Sequence, residues 1–177
     1  MKAYLRFRMP YPLSHEFREI VEHLFPAVDL PLTKHHADFH VTLAYFGTIV
    51  PEHVTGMNTA IDAVALRYRN VKTRIKLCGF DVFETKKGAL LVALAEVEPF
   101  KTWQLCRYEL LHQAKHFAAD ANQDPWNPHV ALGLFRNTAN RNVDRDIPTR
   151  FSWQAEKVEL VLKTHIVPLN IPAWNIL

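Results

Sequence analysis

The chain has 177 residues, 49% of them hydrophobic and 22% charged, so it can bury a core, and this composition excludes disordered and fibrous proteins. Its formal net charge of +3 is too small for a surface that grips a long duplex, and favours a short anionic ligand. Cys78 and Cys106 lack metal-site spacing, so we interpret them as reduced thiols of a cytoplasmic protein. The N-terminal residues resemble neither a signal peptide nor an anchor, and no apolar run is long enough to cross a bilayer.

The first half of the chain predicts strand, helix, strand and helix. Residues Lys2 to Met9 alternate like a strand, and a proline pair interrupts them before Ser14, which we interpret as a helix N-cap. A second strand is predicted from Phe39 to Phe46, ended by Gly47. A second helix is predicted from Pro51 to about Arg69, because apolar residues recur there every three or four positions.

The second half begins with a predicted hairpin, in which "VKTRIKLCGFDVF" and "ALLVALAEV" flank the turn "ETKKG". A third amphipathic helix is predicted from Pro99 to about Ala119, and a strand begins at His129. The segments "FSWQAEKVELVLKTH" and "LNIPAWNIL" are strand-like, with interrupting prolines. Each half therefore contains a helix followed by a strand that starts with histidine.

Those two strands have similar sequences, "HVTLAYFG" from His40 and "HVALGLFR" from His129, about half the chain apart. The repetition suggests two structurally related lobes. Because residues two apart in a strand share a face, His40 lies beside Thr42, and His129 beside Ala131. Their apolar neighbours point the other way and can be buried. An approximate two-fold axis would then bring both histidines to one cleft.

Two imidazoles that face one phosphorus suit acid–base phosphoester chemistry, because histidine titrates near neutral pH and can act as acid or base. Such chemistry requires no metal. A hydroxyl two residues along, as in Thr42, can hydrogen-bond a non-bridging phosphate oxygen and stabilise the transition state. One such histidine would most often be an ordinary strand residue, so the hypothesis rests on the pair.

The segments "YLRFRMPYPLSHEFREIVEHL", "FHVTLAYFG", "NPHVALGLF", "FSWQAEKVELVL" and "AWNIL" resemble the two-histidine phosphoesterase superfamily. The similarity is to its bacterial 2′-5′ RNA ligase-like group of RNA 2′,3′-cyclic phosphodiesterases. The resemblance spans nearly the whole chain and implies an α+β fold for one domain, residues 1–177. In that fold, two interleaved lobes related by a pseudo-two-fold duplication each carry one histidine motif. Two antiparallel sheets face a central cleft, and helices pack outside.

The resemblance also implies an activity: metal- and cofactor-independent hydrolysis of an RNA or nucleoside 2′,3′-cyclic phosphate to a 2′-phosphate. Some relatives join RNA ends reversibly through 2′-5′ linkages. His40 and His129 would be the acid–base pair, and Thr42 would contact the phosphate. The expected partners are RNA ends or small nucleotides, and we expect a monomer that binds no membrane.

The chain departs from the family pattern at the second motif. Family members usually carry Thr or Ser two residues after the second histidine, whereas this chain has Ala131. Losing one donor to the developing charge typically costs on the order of 10²–10³ in rate. Arg136 is carried over as a phosphate contact, although it comes about two places later than the family's arginine.

Two other functions fit the same sequence. The same chemistry could act on 2′-5′-linked oligoadenylates or cyclic oligonucleotide signals, which differ only in what the groove must accept. Alternatively, Ala131 could mark an RNA-end binding module with weak or no catalysis.

Three further patterns favour structural roles. The alternating Lys72, Arg74 and Lys76 are typical of the wet side of a strand. His35 and His36 do not form a tetrahedral metal set with His40. Aromatic residues could stack on bases, but most are expected in the core; these are Tyr45, Phe46, Phe83, Trp126 and Phe135.

Overall fold

Strands and helices alternate along the computed structural model, which describes residues 2–30, 38–118, 121, 124–136 and 142–163. The strands are β1 (Lys2–Arg8), β2 (Val28–Asp29), β3 (His40–Thr48), β4 (Thr73–Thr85), β5 (Gly88–Glu98), β6 (His129–Phe135), β7 (Ser152–Ala155) and β8 (Val158–Lys163). The helices are α1 (Tyr11–Leu24), α2 (Val54–Tyr68), which follows a 3₁₀ turn, and α3 (Phe100–Ala114). This mixture confirms the α+β class. Within the described part, every helix is too short or too polar to cross a bilayer.

Two local boundaries differ from the sequence predictions. Helix α1 begins at Tyr11, because proline is tolerated in a first helical turn. The N-cap predicted at Ser14 is therefore wrong: Ser14 is buried inside the helix, and its hydroxyl donates to the Tyr11 carbonyl at 2.9 Å. Gly47 does not end β3, which continues to Thr48, since glycine tolerates the φ of 77° at this irregular point of the strand.

The described strands form one antiparallel sheet with the order β7-β4-β5-β6-β3-β1-β8, and β2 pairs with β6. The resemblance implied two antiparallel sheets that face a cleft; in the structure the two halves are joined where Val41 of β3 pairs with Val130 of β6. The same connectivity occurs on both sides of this junction, with β1–α1–β3 on one side and β5–α3–β6 on the other. The bilobal shape and the duplication remain predictions.

The segment "FSWQAEKVELVLKTH" forms two strands at opposite edges of this sheet. Strand β7 pairs with β4 and strand β8 with β1, yet only Glu156 and Lys157 separate them in the chain. Because so short a link spans only about 10 Å, the sheet must curl until its two edges approach each other. The C-terminal segment "LNIPAWNIL" lies outside the described residues.

The helices pack on one face of the sheet, and α1 and α3 each contact a strand of the other half of the sheet. Phe17 of α1 contacts Phe80 of β4 and Phe151, whereas Trp103 of α3 contacts Phe7 of β1 with ring centroids 4.9 Å apart. A row of buried apolar residues runs across this face through paired positions: Phe80, Ala93, Val130, Val41, Phe7 and Val158. The opposite face carries the histidine motifs.

Candidate active site

The four motif residues surround the junction between the two halves of the sheet. His40 and Thr42 flank Val41, and His129 and Ala131 flank Val130. Since Val41 lies opposite Val130, continuing the antiparallel register places Thr42 beside His129 and His40 beside Ala131. The two histidines are then diagonal neighbours, with Cα atoms roughly 7–8 Å apart and Cβ atoms somewhat closer. A single phosphate can fit between their rings.

Both histidines make the same backbone hydrogen bond. His40 Nδ1 donates to the Asp38 carbonyl at 2.8 Å, and His129 Nδ1 donates to the Asn127 carbonyl at 2.8 Å. A carbonyl oxygen only accepts, so these contacts assign the Nδ1–H tautomer to each neutral ring. Each ring then carries its lone pair on Nε2. The two motifs therefore present the same basic nitrogen.

Aromatic contacts restrict the orientation of both imidazoles. The Tyr4 ring stacks on His40 with centroids 5.4 Å apart, and the Phe83 ring meets His129 edge-on at 4.9 Å. Burial is the main cause that raises the pKa of Tyr4 above its ordinary value, so its phenol stays neutral near pH 7. One member of the predicted aromatic set, Phe83, thus supports a motif histidine.

A charged cluster adjoins His40. Arg6 is 8% exposed, and its Nη1 lies 2.5 Å from Asp38 Oδ2. Its Nε donates to Glu159 Oε2 at 3.0 Å. Burial alone would lower the pKa of Arg6, but these two carboxylates raise it above its ordinary value. Arg8 is closer to solvent, with Nε 3.6 Å from Asp38 Oδ1.

Sequence reasoning missed this cluster. The alternation in "YLRFR" does place Arg6 and Arg8 on the motif face, because Leu5 and Phe7 face the core. The partners, however, lie 32 and 153 positions away, so the pairing follows from the fold alone.

Comparison with known proteins identifies the family. The model of the 2′-5′ RNA ligase superfamily matches residues 9–164. The chain belongs to this superfamily. The match includes both histidine motifs and nearly all of the described strands. A search of curated proteins gave no match.

Solved structures share the fold of this superfamily member. Escherichia coli LigT complexed with ATP is 18% identical, with 90% of this chain and 85% of that chain covered and a TM-score of 0.59. TT0787 of Thermus thermophilus is 20% identical, with 92% and 88% covered and a TM-score of 0.59. Kluyveromyces marxianus Usb1 is 13% identical, with 95% and 97% covered and a TM-score of 0.54. At these identities the likeness shows the fold alone.

Trp126 links the two motifs of this superfamily member. Its indole Nε1 donates to the Thr42 carbonyl at 2.9 Å, and its ring stacks on Phe100 with centroids 5.5 Å apart. The side chain is 8% exposed, so it connects the first motif, by packing and by this hydrogen bond, to the segment before His129. From the sequence, Trp126 was considered as a residue that could stack on a base, and its hydrogen bond to the Thr42 carbonyl was not predicted.

Arg136, the predicted phosphate contact, has an acidic partner in this structure. It follows the end of β6, seven positions from His129, which corresponds to about 23 Å along a strand. There its Nε donates to Asp29 Oδ1 at 2.6 Å, and both side chains are exposed. The phosphate contact of Arg136 therefore stays a prediction. The late position of this arginine in the motif puts it past the strand end.

Ala131 lies on the motif face and is exposed, but it offers only a methyl group where relatives usually have a hydroxyl.

Two of the alternating basic residues lie opposite carboxylates. Arg74 pairs in register with Glu98, and Lys76 Nζ lies 3.8 Å from Glu96 Oε2. Within the described ranges, no three His, Cys, Asp or Glu side chains group as metal ligands. His35 and His36 lie outside those ranges.

Proposed function

We propose that this protein is a metal-independent phosphodiesterase that hydrolyses the 2′,3′-cyclic phosphate of an RNA end or nucleoside to a 2′-phosphate. The observation that carries the proposal is the pair of histidines, His40 and His129, held in the same tautomer on one sheet face around the Val41–Val130 junction. Membership of the 2′-5′ RNA ligase superfamily supports this chemistry. Structures of the relative LigT complexed with ATP and with 3′-AMP support a nucleotide ligand.

In this reaction one histidine removes a proton from water through Nε2, and the resulting oxygen attacks phosphorus. The bond between phosphorus and the ribose 3′-oxygen breaks. The other histidine, protonated, donates its Nε2 proton to that departing oxygen. One water is consumed, and the products are a 2′-phosphomonoester and a free 3′-hydroxyl. The similar bonding of the two rings allows either histidine to take either role.

Thr42 supplies the electrostatic part of the reaction. It neighbours both histidines on the motif face, so its hydroxyl can donate to a non-bridging oxygen as negative charge develops there. Ala131 occupies the corresponding place in the second motif and cannot do so. Turnover should therefore be lower than in a protein with both hydroxyls, by about 10²–10³-fold if nothing replaces the donor.

The exposed Ala131 methyl also favours a second candidate, an RNA-end binding module with weak or no catalysis. A further candidate retains the two-histidine chemistry but acts on 2′-5′-linked oligoadenylates or cyclic oligonucleotides. The same displacement, with a 5′-hydroxyl in place of water as the nucleophile and the 3′-oxygen again departing, would join RNA ends through a 2′-5′ bond. All of these candidates use the same two-histidine site, so an assay must establish the substrate.

The test is incubation of the pure protein with an RNA oligonucleotide that ends in a 2′,3′-cyclic phosphate, with and without EDTA. His40→Ala is the control, and a 2′-5′-linked oligoadenylate is the parallel substrate. A 2′-phosphate product that survives EDTA and is lost in the variant supports the proposal. Tight binding without turnover would favour the binding module instead. A 3′-phosphate product would contradict the proposed departure of the 3′-oxygen.

A further inference from the structure

We propose that the ion pair between Arg6 and Asp38 is the device that positions His40, an inference that rests on the proposed function of that histidine. Asp38 has two separate contacts: its backbone carbonyl accepts from His40 Nδ1 at 2.8 Å, and its carboxylate lies 2.5 Å from Arg6 Nη1. Holding the carboxylate therefore holds the carbonyl that orients the ring. Arg6 is a positioning residue and does not touch the phosphate.

Arg6 is well suited to this role because it is fixed on both sides within the sheet. It pairs in register with Thr42 of β3 and with Glu159 of β8. Its side chain is 10% exposed, and Nε and Nη2 both lie 3.0 Å from Glu159 Oε2. A buried guanidinium is stable only when such partners compensate its charge. Because Arg6 is paired with both carboxylates, it holds Asp38 in place and does not bind a substrate.

Asp38 in turn depends mainly on Arg6. Its Oδ1 atom is buried and has no hydrogen-bond partner among the described residues. The nearby Arg8 Nε is 3.6 Å away, which is too far for a hydrogen bond. The Oδ2 contact with Arg6 is therefore the main tie between this carboxylate and β1.

The second motif shows what the ion pair replaces. Asn127 has the same place two residues before His129 and makes the same carbonyl contact, with an uncharged side chain. Its segment is held by neighbours on both sides. The Trp126 indole donates to the Thr42 carbonyl, and the Pro128 carbonyl accepts from Ala95 N, both at 2.9 Å.

The first motif has neither tryptophan nor proline in those two places. The residue after Asp38 is Phe39, whose carbonyl accepts from Met9 N at 2.9 Å. Phe39 thus gives the first motif the backbone tie that Pro128 gives the second, and the buried ion pair supplies the hold that Trp126 gives the second motif.

Loss of Arg6 would also change the charge near His40. Charged and titratable groups face His40 from every neighbouring described element. They are Tyr4, Arg6 and Arg8 on β1, Asp38 before β3, His129 on β6 and Glu159 on β8. Lys157 Nζ lies 3.5 Å from Glu159, so this carboxylate keeps a partner. Asp38 would keep only Arg8, whose Nε lies 3.6 Å from Oδ1, and a carboxylate with less compensation favours the imidazolium form of a nearby histidine.

The experiment compares Arg6→Met with wild type on the cyclic-phosphate RNA. Because a displacement of about 1 Å can cost about 10²-fold in rate, we expect kcat to fall by roughly 10–100-fold with little change in KM. The limb of the pH–rate profile that depends on His40 should move to higher pH. The control is Arg150→Met, which removes the exposed ion pair with Glu16, another pair between sequence-distant residues, and should change neither quantity.

The decisive variant is Arg6→Met combined with Asp38→Asn, which gives the first motif the uncharged side chain that Asn127 has in the second. An asparagine needs no counter-ion, so the pH profile should return to that of wild type and kcat should recover at least in part. Arg6→Lys, which keeps the charge, should also recover part of kcat. If the double variant is no better than Arg6→Met, the effect does not run through the Asp38 charge, and the inference fails.

Failure of the inference can be separated from failure of the proposed function. If His40→Ala is inactive but Arg6→Met has unchanged kcat and pH profile, the inference is overturned and the proposed function stands. If wild type does not hydrolyse the RNA, nitrogen NMR of His40 still tests the ion pair. In Arg6→Met its imidazole should titrate at higher pH than in wild type. If Arg6→Met does not fold, the same measurement on Asp38→Asn should show titration at lower pH, and an unchanged titration would overturn the inference.

Discussion

Val41 lies directly opposite Val130, and this pair joins the two halves of the sheet. Both valines are completely buried, and every motif residue is next to one of them in the chain. The valine side chains are buried in the core, while the motif residues next to them lie on the opposite face of the sheet. The distance between His40 and His129 is therefore set by one backbone pairing in the centre of the fold.

Both histidines should be essential to the same step. We expect His40→Ala and His129→Ala each to lower kcat by about 10²–10⁴-fold, because each removes one partner of proton transfer. The double variant should be much less impaired than the product of the two losses, since the residues act as a unit. Single-turnover rates on cyclic-phosphate RNA measure this. His15→Ala, an exposed histidine paired with Glu19 on α1, is the control and should match wild type.

The tautomers offer a test that does not require activity. We expect nitrogen NMR at a pH where the rings are neutral to show the proton on Nδ1 of both His40 and His129, as their carbonyl contacts require. An Nε2–H signal for either histidine would mean that the carbonyl contact is absent in solution, and would remove the similarity on which the mechanism rests.

Ala131→Thr should raise turnover. The new hydroxyl would stand on the motif face, where it can donate to a non-bridging oxygen, and such a donor is typically worth on the order of 10²–10³ in rate. The matched control is Ala131→Val, which has nearly the same shape without the hydroxyl and should give no increase. Equal rates in the two variants would show that a second hydroxyl has no catalytic role here.

Gly133 is required by the close approach of β2 to β6. A Cβ at this position would lie 2.2 Å from the Asp29 backbone oxygen, and a backbone atom cannot move aside as a flexible side chain can. We expect Gly133→Ala to lower the free energy of unfolding by about 1–3 kcal/mol, as for other overpacked sites. Gly79→Ala, with nothing within 4 Å of its new Cβ, should be near neutral. Urea denaturation measures both, and equal midpoints would contradict the structure.

Much of the fold was predictable because it depends on local periodicity. The hairpin of β4 and β5 and helix α2 formed where the sequence placed them, and the period of two put His40 beside Thr42. Local periodicity does not determine sheet connectivity, so it did not show that β3 and β6 join the two halves of the sheet. For the same reason, one predicted strand-like segment was not resolved into β7 and β8.

The environment of the candidate site was less predictable than its two histidines. Arg6 and Asp38 are 32 positions apart, and no pattern within either segment signals that their side chains meet. Motif spacing alone did not show that Arg136 follows the end of β6 and pairs with Asp29. Pro12 was taken as part of a break between strand and helix, although a first helical turn accepts proline.

The most direct measurement is the pH dependence of kcat/KM for hydrolysis of cyclic-phosphate RNA. One histidine must be neutral and the other protonated, so we expect a bell-shaped profile with one limb from each group. The residual activity of His40→Ala should lose one limb, and that of His129→Ala the other. A profile that is flat through neutral pH, or one that keeps both limbs in the two variants, would contradict the two-histidine mechanism.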